Sequence, residues 1–414
     1  MKIVIVAVGS RGDIAPFTGL AMRLRSAGHD VAIATQRIFA DTVRATGCEF
    51  RVIPGNIQEL LAANAEWAEA GGGLRGIKVN LQLSRQLMDD VAAGIVPACE
   101  GADVLLLQRA AQVHGYLVGR AMSIPTIGLE LFPGAPTEEF APAAYGARSL
   151  GKWGNRSLIR LLARIPNNLD GPLKDFCRTL GLPARGVGAV RIEMTDDRHW
   201  PLLHGFSPEI VPRPADWRPG IEVVGYWWPA ESSWTPPAEL VSFLAAGPAP
   251  VFVGFGSMAG GHGGSIGEVV AAAVRSAGVR AVVQAGWAGL DVAGDDILRI
   301  GSAPHDWLFP RMAAVVHHCG AGTTGAGVRA AVPAVGVPVI ADQPFWAARL
   351  GRLGVSPGAI RLRDLTAEPL AALIRQAVED PSYAVTAKAL AARVTAEDGA
   401  AAVIAAVDRV TAAA

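Results

Sequence analysis

The chain lacks several features that mark common special classes of protein. Its 414 residues include only four cysteines, which are scattered and form no Cys-x-x-Cys pair, so neither a disulfide framework nor a zinc site is expected. The 37 basic residues balance 37 acidic residues, which indicates no surface for nucleic acid. No run of about 18 apolar residues is free of charges and helix breakers, so we expect no transmembrane segment and at most peripheral membrane contact.

The N-terminus also lacks a signal peptide of ordinary length. The apolar run Ile3–Val8 is short, and Arg11 and Asp13 follow at once, so we interpret it as a buried parallel strand. Together with the unpaired cysteines, this predicts a reduced, cytoplasmic protein.

What the chain does have is a regular alternation of strand and helix patterns in both halves. This pattern is typical of an α/β protein with parallel sheets covered on both faces, and 414 residues suit two domains of about 200 residues each. Residues 205–237, rich in proline and tryptophan, interrupt the alternation and predict an inter-domain connection; an extended edge segment of one domain is the alternative. The predicted strands are Lys2–Val8, Asp30–Thr35, Glu49–Ile53, Ala102–Leu107, Pro125–Leu129, Pro250–Phe255, Arg280–Gln284, Leu298–Ile300, Ala313–His317 and Pro333–Val339. The first predicted helix is Pro16–Ala27, with Gly28 just after its end as a left-handed cap residue.

The strongest chemical signal is a small-residue turn between a strand and a helix. It follows His318 and consists of Gly320, Ala321, Gly322, Thr323 and Thr324. Small residues leave the backbone amides of the first helical turn uncovered, and those amides bind anions. A diphosphate leaving group suits this turn. The alternative is a simple helix cap beside a buried histidine.

Two further segments belong to the same sheet edge. The stretch Gly301–Pro310 precedes the turn, and Pro338–Pro344 follows it. Open α/β sheets bind ligands at the carboxyl ends of their strands. In the second segment, Asp342 and Gln343 can hydrogen-bond to sugar hydroxyls, although either could belong to a solvated loop.

With these segments the sequence resembles the family 1 glycosyltransferases of the GT-B fold, above all sterol glucosyltransferases and bacterial antibiotic glycosyltransferases. The resemblance implies two Rossmann-like domains that face a cleft. It implies an acceptor domain at residues 1–213, a connection at 214–237, a donor domain at 238–390, and a last helix at 391–414 that packs back on the first domain. The supporting motifs are Gly9–Asp13, Phe206–Pro208, Pro212–Trp217, Gly225–Trp227, Val253–Met258, Gly286–Trp287 and the run from Gly301 to about Pro357.

The resemblance also implies roles for individual residues of the donor domain. His318 and the turn Gly320–Thr324 would hold the diphosphate, with Ser257 as a further phosphate contact. Ala303 and His305 would line the nucleobase pocket, with Trp287 as its wall. Asp342 and Gln343 would hold the transferred sugar. No resident cofactor is implied, since the nucleotide sugar is a substrate.

Three residues depart from the family pattern. Cys319, Ala331 and Ala341 stand where relatives often carry glycine, and each adds a Cβ atom near the donor site. The sugar specificity of relatives is therefore not assumed to hold here.

Transfer to a hydroxyl requires a general base, and Asp13 is our candidate. It follows the first strand, in a position that resembles the base of related antibiotic enzymes; a helix-capping role is the alternative and does not exclude it. His114 is a weaker candidate on the acceptor side. No Asp-x-Asp motif occurs, so we expect helix amides, and no metal, to neutralise the diphosphate.

The acceptor is expected to be apolar. Residues 56–100 and 132–170 are the least regular parts of the first domain and carry many apolar side chains, among them Phe132. Such side chains form core or line a pocket. A sterol, a macrolide or a polyketide would suit a pocket of this kind.

Four functional hypotheses remain open on the sequence. The leading one is an inverting, metal-independent transfer of a hexose from UDP-glucose to a hydroxyl. A transferase for thymidine-diphosphate deoxysugars, a nucleotide-sugar epimerase and a non-catalytic nucleotide-sugar binding partner are the others.

Overall fold

The computed structural model describes residues 1–63, 74–143, 149–165, 168–231, 234–256, 263–286, 290, 292 and 294–412. Two of the predicted donor-site residues, Ser257 and Trp287, lie outside the described residues.

The first half of the chain builds a parallel sheet of seven strands in the order β3-β2-β1-β4-β5-β6-β7. Its strands are β1 (Lys2–Val6), β2 (Asp30–Gln36), β3 (Glu49–Ile53), β4 (Val104–Gln108), β5 (Thr126–Glu130), β6 (Leu202–His204) and β7 (Ile221–Val223). The helices are α1 (Arg11–Ser26), α2 (Ala40–Arg44), α3 (Ile57–Ala63), α4 (Leu74–Cys99), α5 (Gln112–Met122), α6 (Gly151–Arg164), α7 (Asp170–Thr179) and α8 (Val187–Asp196), with a 3-10 turn at Arg37–Phe39.

The second half builds a parallel sheet of five strands in the order β10-β9-β8-β11-β12. Its strands are β8 (Val251–Gly254), β9 (Ala281–Gln284), β10 (Ile297–Ile300), β11 (Ala314–His317) and β12 (Ala334–Gly336). The helices are α9 (Ala238–Ala245), α10 (Gly263–Ala277), α11 (His305–Leu308), α12 (Ala321–Arg329), α13 (Gln343–Arg352), α14 (Ala367–Glu379), α15 (Pro381–Thr395) and α16 (Gly399–Ala412), with 3-10 turns at Phe309–Arg311 and Leu362–Asp364.

Apolar residues on both faces of the central strands hold the first sheet between two helix layers. In β1, Val4 and Val6 face one buried cluster, and Ile3 and Ile5 face the other. This two-sided burial is why the strands are continuous apolar runs instead of alternating ones. The prediction of two parallel α/β domains is therefore confirmed.

Contacts between distant parts of the chain join the two sheets. Helix α16 packs on the first sheet, where Val403 and Val407 share a buried cluster with Ile3 and Ile5. The Trp227 indole, from the connection, donates a hydrogen bond of 3.1 Å to the Gly399 carbonyl. The last helix and the connection thus pack together against the first domain.

The structure differs from the sequence expectation at two boundaries. The first helix was predicted to begin at Pro16, but α1 begins at Arg11, because Ser10 and Asp13 cap its first turn. The range predicted for the first domain ends at residue 213, yet β7 at Ile221–Val223 pairs with β6. Part of the predicted connection is therefore an edge strand. Among the described residues no helix is both long enough and apolar enough to cross a membrane.

Candidate active site

Asp13 lies in the first turn of α1, just beyond the carboxyl end of β1. Its Oδ2 atom accepts hydrogen bonds from the backbone N–H and from the hydroxyl of Ser10, each 2.8 Å long. Gly9 adopts a φ of 138°, and a Cβ atom there would lie 2.6 Å from Asp13 Oδ2. Glycine at position 9 therefore lets the turn fold against this carboxylate. Asp13 and Ser10 also form a capping box at the start of α1, so the helix-capping role considered as an alternative for Asp13 is present.

A second group reaches Asp13 from the neighbouring strand. The Gln108 side-chain amide, at the end of β4, donates a hydrogen bond of 3.4 Å to Asp13 Oδ1. Burial raises the pKa of Asp13, and the hydrogen bonds from Ser10 oppose that shift. A raised pKa makes the ionised carboxylate a stronger proton acceptor. Gln108 was missed at the sequence level, although a polar residue that ends an apolar strand is a usable signal.

The small-residue turn forms the start of α12, as the sequence predicts. Gly320 is the N-cap, and Ala321 opens the helix. Gly322 is exposed and Thr323 half-buried, whereas Thr324 is buried, with a hydroxyl that has no hydrogen-bond partner among the described residues. The first turn of α12 thus presents amides that no large side chain covers, which is an arrangement able to bind an anion.

His318 packs between two glycines at this turn. A Cβ atom on Gly320 would lie 2.6 Å from His318 Nε2, and one on Gly256 would lie 3.1 Å from His318 Cε1. Burial lowers the pKa of His318 to about 4, so the ring is neutral at pH 7 and offers one N–H donor. Neighbouring His305 has its pKa lowered to about 4 by burial as well.

The structure brings Asp342 and Gln343 to the start of α13. Asp342 is the N-cap, and its Oδ2 accepts a hydrogen bond of 2.6 Å from the Trp346 indole. Burial raises the pKa of Asp342 to about 6. Gln343 Oε1 accepts hydrogen bonds from the N–H groups of Val339 (2.8 Å) and Ile340 (3.1 Å), so its amide oxygen fixes the loop.

These groups from the two sheets converge on one region. The Arg11 guanidinium, on α1, donates a hydrogen bond of 2.6 Å to the Ser302 hydroxyl in the second half. The negative charge of Asp13 contributes to the raised pKa of Asp342. Asp13 and Asp342 therefore lie close enough for their charges to interact, and α1 packs against α12. These three groups border the region between the two sheets, which we call the cleft.

The two described residues predicted for the nucleobase pocket lie at the start of α11, which packs against α12. Ala303 is buried, and the His305 ring is stacked on Phe309 with centroids 4.3 Å apart. Their role toward a nucleobase stays a prediction, as do the roles of Ser257 and Trp287.

On the acceptor side, the two predicted residues have different surroundings. His114 is 2% exposed, and its ring meets the edge of Phe176 with centroids 4.9 Å apart; burial lowers its pKa to about 4. Phe132 follows β5 and lies 5.2 Å from the guanidinium carbon of Arg109. Arg109 itself, paired with Glu130, is a further residue that sequence reasoning missed.

The three departures from glycine all occur at left-handed backbone positions. The φ angles are 60° at Cys319, 60° at Ala331 and 55° at Ala341. Glycine adopts such angles without a Cβ clash, whereas other residues do so at a cost. Each of the three positions therefore has a backbone conformation that favours glycine, although the residue is Cys or Ala.

Sequence comparisons agree with this geometry. Residues 3–116 match the model of the glycosyltransferase family 28 N-terminal domain, and residues 288–409 match the erythromycin biosynthesis protein CIII-like C-terminal domain. An O-mycaminosyltylonolide 6-deoxyallosyltransferase of Streptomyces fradiae is 35% identical over 416 residues, covering 96% of this chain and 95% of that protein. A sterol 3-beta-glucosyltransferase of Arabidopsis thaliana is 32% identical over 420 residues, which is 96% of this chain but only 64% of that protein.

Solved structures share the architecture over nearly the whole chain. The glycotransferase of kitacinnamycin superposes with a TM-score of 0.70 at 19% identity, covering 99% of this chain and 98% of the other. The glycosyltransferase VinC, solved with dTDP, superposes with a TM-score of 0.67 at 18% identity over 100% of both chains. At these identities the likeness establishes the fold.

Proposed function

Because the chain belongs to the glycosyltransferases with the two-domain GT-B architecture, we propose that it transfers a hexose from UDP-glucose to a hydroxyl of an apolar small molecule, such as a sterol, macrolide or polyketide. The transfer is inverting and needs no metal. The observation that carries this proposal is the placement of a half-buried carboxylate, Asp13, across the cleft from the uncovered helix start at Gly320–Thr324.

In the proposed reaction Asp13 acts as the general base. Its carboxylate takes the proton of the acceptor hydroxyl while that oxygen forms a bond to the anomeric carbon of the sugar. The bond from this carbon to the diphosphate breaks on the opposite face, which inverts the configuration. The raised pKa of Asp13 supports this role, since a stronger base accepts the proton more readily.

The leaving diphosphate is stabilised by the start of α12. The uncovered amides of its first turn, the helix dipole and the neutral ring of His318 provide donors aimed at an anion. These groups substitute for a divalent metal in our proposal, in agreement with the missing Asp-x-Asp motif. Asp342 and the free amide end of Gln343 are positioned to bind hydroxyls of the hexose.

A transferase for thymidine-diphosphate deoxysugars is the second candidate. Its support is the name of the Streptomyces fradiae relative, a deoxyallosyltransferase, and the dTDP bound to a structural neighbour. The non-catalytic alternative is less favoured because Asp13, whose pKa is raised, and the start of α12 occur in one cleft.

The test is mass spectrometry of a mixed acceptor library incubated with UDP-glucose or with TDP-glucose. A hexose adduct in the UDP-glucose arm alone supports the proposal, whereas adducts formed only with TDP-glucose favour the second candidate. Nucleotide binding without any adduct in either arm would support the non-catalytic alternative.

Asp13→Asn provides the mechanistic arm of this test. We expect turnover to fall about 10²- to 10⁴-fold, because the proton acceptor is removed, while UDP affinity changes less than about twofold. Steady-state kinetics and calorimetric titration with UDP measure the two quantities. Asp41→Asn, an exposed carboxyl on α2, is the matched control, and near-normal turnover of Asp13→Asn would remove Asp13 as the base.

A further inference from the structure

A partly buried ion pair lies beside the proposed base and has no role in the mechanism above. Arg109 follows β4 and Glu130 ends β5, and Arg109 Nη1 lies 2.8 Å from Glu130 Oε1. Glu130 is 1% exposed, whereas the Arg109 side chain keeps 34% of its surface. Because β1, β4 and β5 are neighbours, the pair sits next to Gln108, which contacts Asp13.

Burying the Glu130 carboxylate in this ion pair costs free energy, which a purely structural role does not explain. Burial raises the pKa of Glu130, and the charge of Arg109 opposes that shift. Glu130 Oε2 accepts no hydrogen bond from the described residues. Buried ion pairs of this kind are often no more stabilising than an apolar pair of the same volume, so stability alone is a weak reason for this one.

The surroundings of Arg109 fix its guanidinium in place. Glu130 holds one nitrogen, and the Phe132 ring lies 5.2 Å from the guanidinium carbon. A Cβ atom on residue 134 would overlap Arg109 Nη1, so glycine at this position leaves the space that the guanidinium fills. An arginine carries five N–H donors, and Glu130 is its only hydrogen-bond partner among the described residues.

The guanidinium also faces the cleft between the domains. Its positive charge lowers the pKa of Asp342, on the donor side. It therefore lies in the same cleft as the proposed base and the sugar-binding carboxylate, on the acceptor side of both.

We propose that Arg109 binds a carbonyl or ionised oxygen of the acceptor, so that the acceptor is an oxygenated, polyketide-type molecule and not a plain sterol. This inference rests on the proposed function. A forked, pre-positioned cation forms strong hydrogen bonds to such an oxygen. An acceptor with only hydrocarbon at this point would cover the guanidinium without replacing its water contacts, which is unfavourable.

The experiment compares acceptors that differ only in the carbonyl group. The pairs are 2-hydroxyanthraquinone with 2-anthrol, and pregnenolone with pregn-5-en-3β-ol, each added to the acceptor library. We expect the wild-type chain to favour the carbonyl member by about tenfold or more in kcat/KM, mainly through KM. In Arg109→Met this preference should fall below about twofold, because the forked donor is removed. Arg109→Lys should retain part of the preference.

Two further variants keep the result interpretable. Arg109→Met leaves Glu130 buried without its partner, which could unfold the chain. The double variant Arg109→Met with Glu130→Gln removes both charges and avoids this problem. It should lose the preference for the carbonyl member to the same extent. Arg120→Met is the control: it breaks an ion pair of 2.5 Å between Arg120 on α5 and Glu193 on α8, and it should leave the preference intact.

A purely structural pair would give a different result. Equal losses for both members of a pair in Arg109→Met, or equal wild-type rates with and without the carbonyl, would overturn this inference while leaving glycosyl transfer established. Transfer only to library members without a carbonyl would also overturn it. No transfer to any library member would count against the proposed function itself.

Discussion

Single residues in the cleft have pKa values that differ from their ordinary ones because the fold partly removes them from solvent. Burial raises the pKa of Asp13 and of Asp342 and lowers the pKa of His318. Two carboxyl groups with raised pKa values on opposite sides of one cleft suit a site that exchanges a proton and binds neutral hydroxyls.

Asp342→Asn should change how stability depends on pH. Since the folded-state pKa of Asp342 is about 6, above its ordinary 3.8, the folded state holds this proton more tightly. Below pH 3.8 the carboxyl is protonated in both the folded and the unfolded state, so it does not change the free energy of unfolding. Between pH 3.8 and 6 the unfolded state loses its proton while the folded state keeps it, so the wild-type chain loses stability. Thermal melts should show that the Asp342→Asn variant gains on the order of 3 kcal/mol over wild type at pH 7.5 and little at pH 4. Asp408→Asn, an exposed carboxyl on α16, controls for the loss of one charge; an equal gain at both pH values would contradict the prediction.

Ala331→Gly should stabilise the chain. Ala331 lies between α12 and β12 with a φ of 60°, a backbone angle at which a Cβ atom is strained. Glycine removes that strain but adds freedom to the unfolded chain, so we expect a net gain of about 0.5–1 kcal/mol in denaturant unfolding. Ala330→Gly, at a φ of −74°, is the matched control and should destabilise. A loss of stability in both variants would contradict the argument.

At the scale of elements, α1 joins the site to the inter-domain connection. Its first turn carries Asp13, and its middle packs against residues 228–230. The Thr18 hydroxyl accepts a hydrogen bond of 2.9 Å from the Ala230 N–H. A Cβ atom on Gly19 would overlap the Trp228 carbonyl oxygen. One helix thus fixes the position of the base relative to the start of the second domain.

Gly19→Ala should lower stability by about 2–3 kcal/mol, because the added methyl group forces α1 away from the connection. Denaturant unfolding measures the loss. Gly12→Ala, on the same helix, is the control for helix propensity, since a Cβ there meets only the Ser10 hydroxyl at 3.7 Å. Equal effects of the two substitutions would show that the close approach of Gly19 to Trp228 has no energetic role.

At the scale of the whole molecule, the end of the chain completes the core at its beginning. Val403, on α16, is fully buried in the cluster that contains Ile3 and Ile5 of β1. The surface ion pair Arg23–Asp398 (2.7 Å) joins α1 to the residue just before α16, but exposed pairs contribute little. The buried contacts of α16 are therefore what ties the two ends of the chain together.

Val403→Ala should lower stability by about 1–3 kcal/mol, because it removes buried methyl groups and leaves a cavity between α16 and β1. Differential scanning calorimetry measures the loss and shows whether the two domains unfold together. Val385→Ala, at a position that is 68% exposed, is the control. An unchanged transition in Val403→Ala would mean that α16 does not stabilise the first domain.

Much of the fold and part of the site can be predicted from local patterns. The strand Glu49–Ile53 agrees at both ends, and the left-handed glycine at residue 28, with a φ of 90°, follows the first helix as expected. The turn at Gly320–Thr324 starts a helix, and Asp13 follows β1. Each of these features depends on residues within one turn or one strand, so the chain carries the information locally.

The remaining features depend on contacts that no local pattern contains. Gln108 reaches Asp13 across 95 positions, and Arg109 meets Glu130 because β4 and β5 are neighbours. The residue types, the alternation of strands and helices and the small-residue turn were determined by the sequence alone. Which carboxyl ends share an edge, and which charges are buried there, were decided by strand order and the closing of α16, since burial and pairing arise only when distant segments pack.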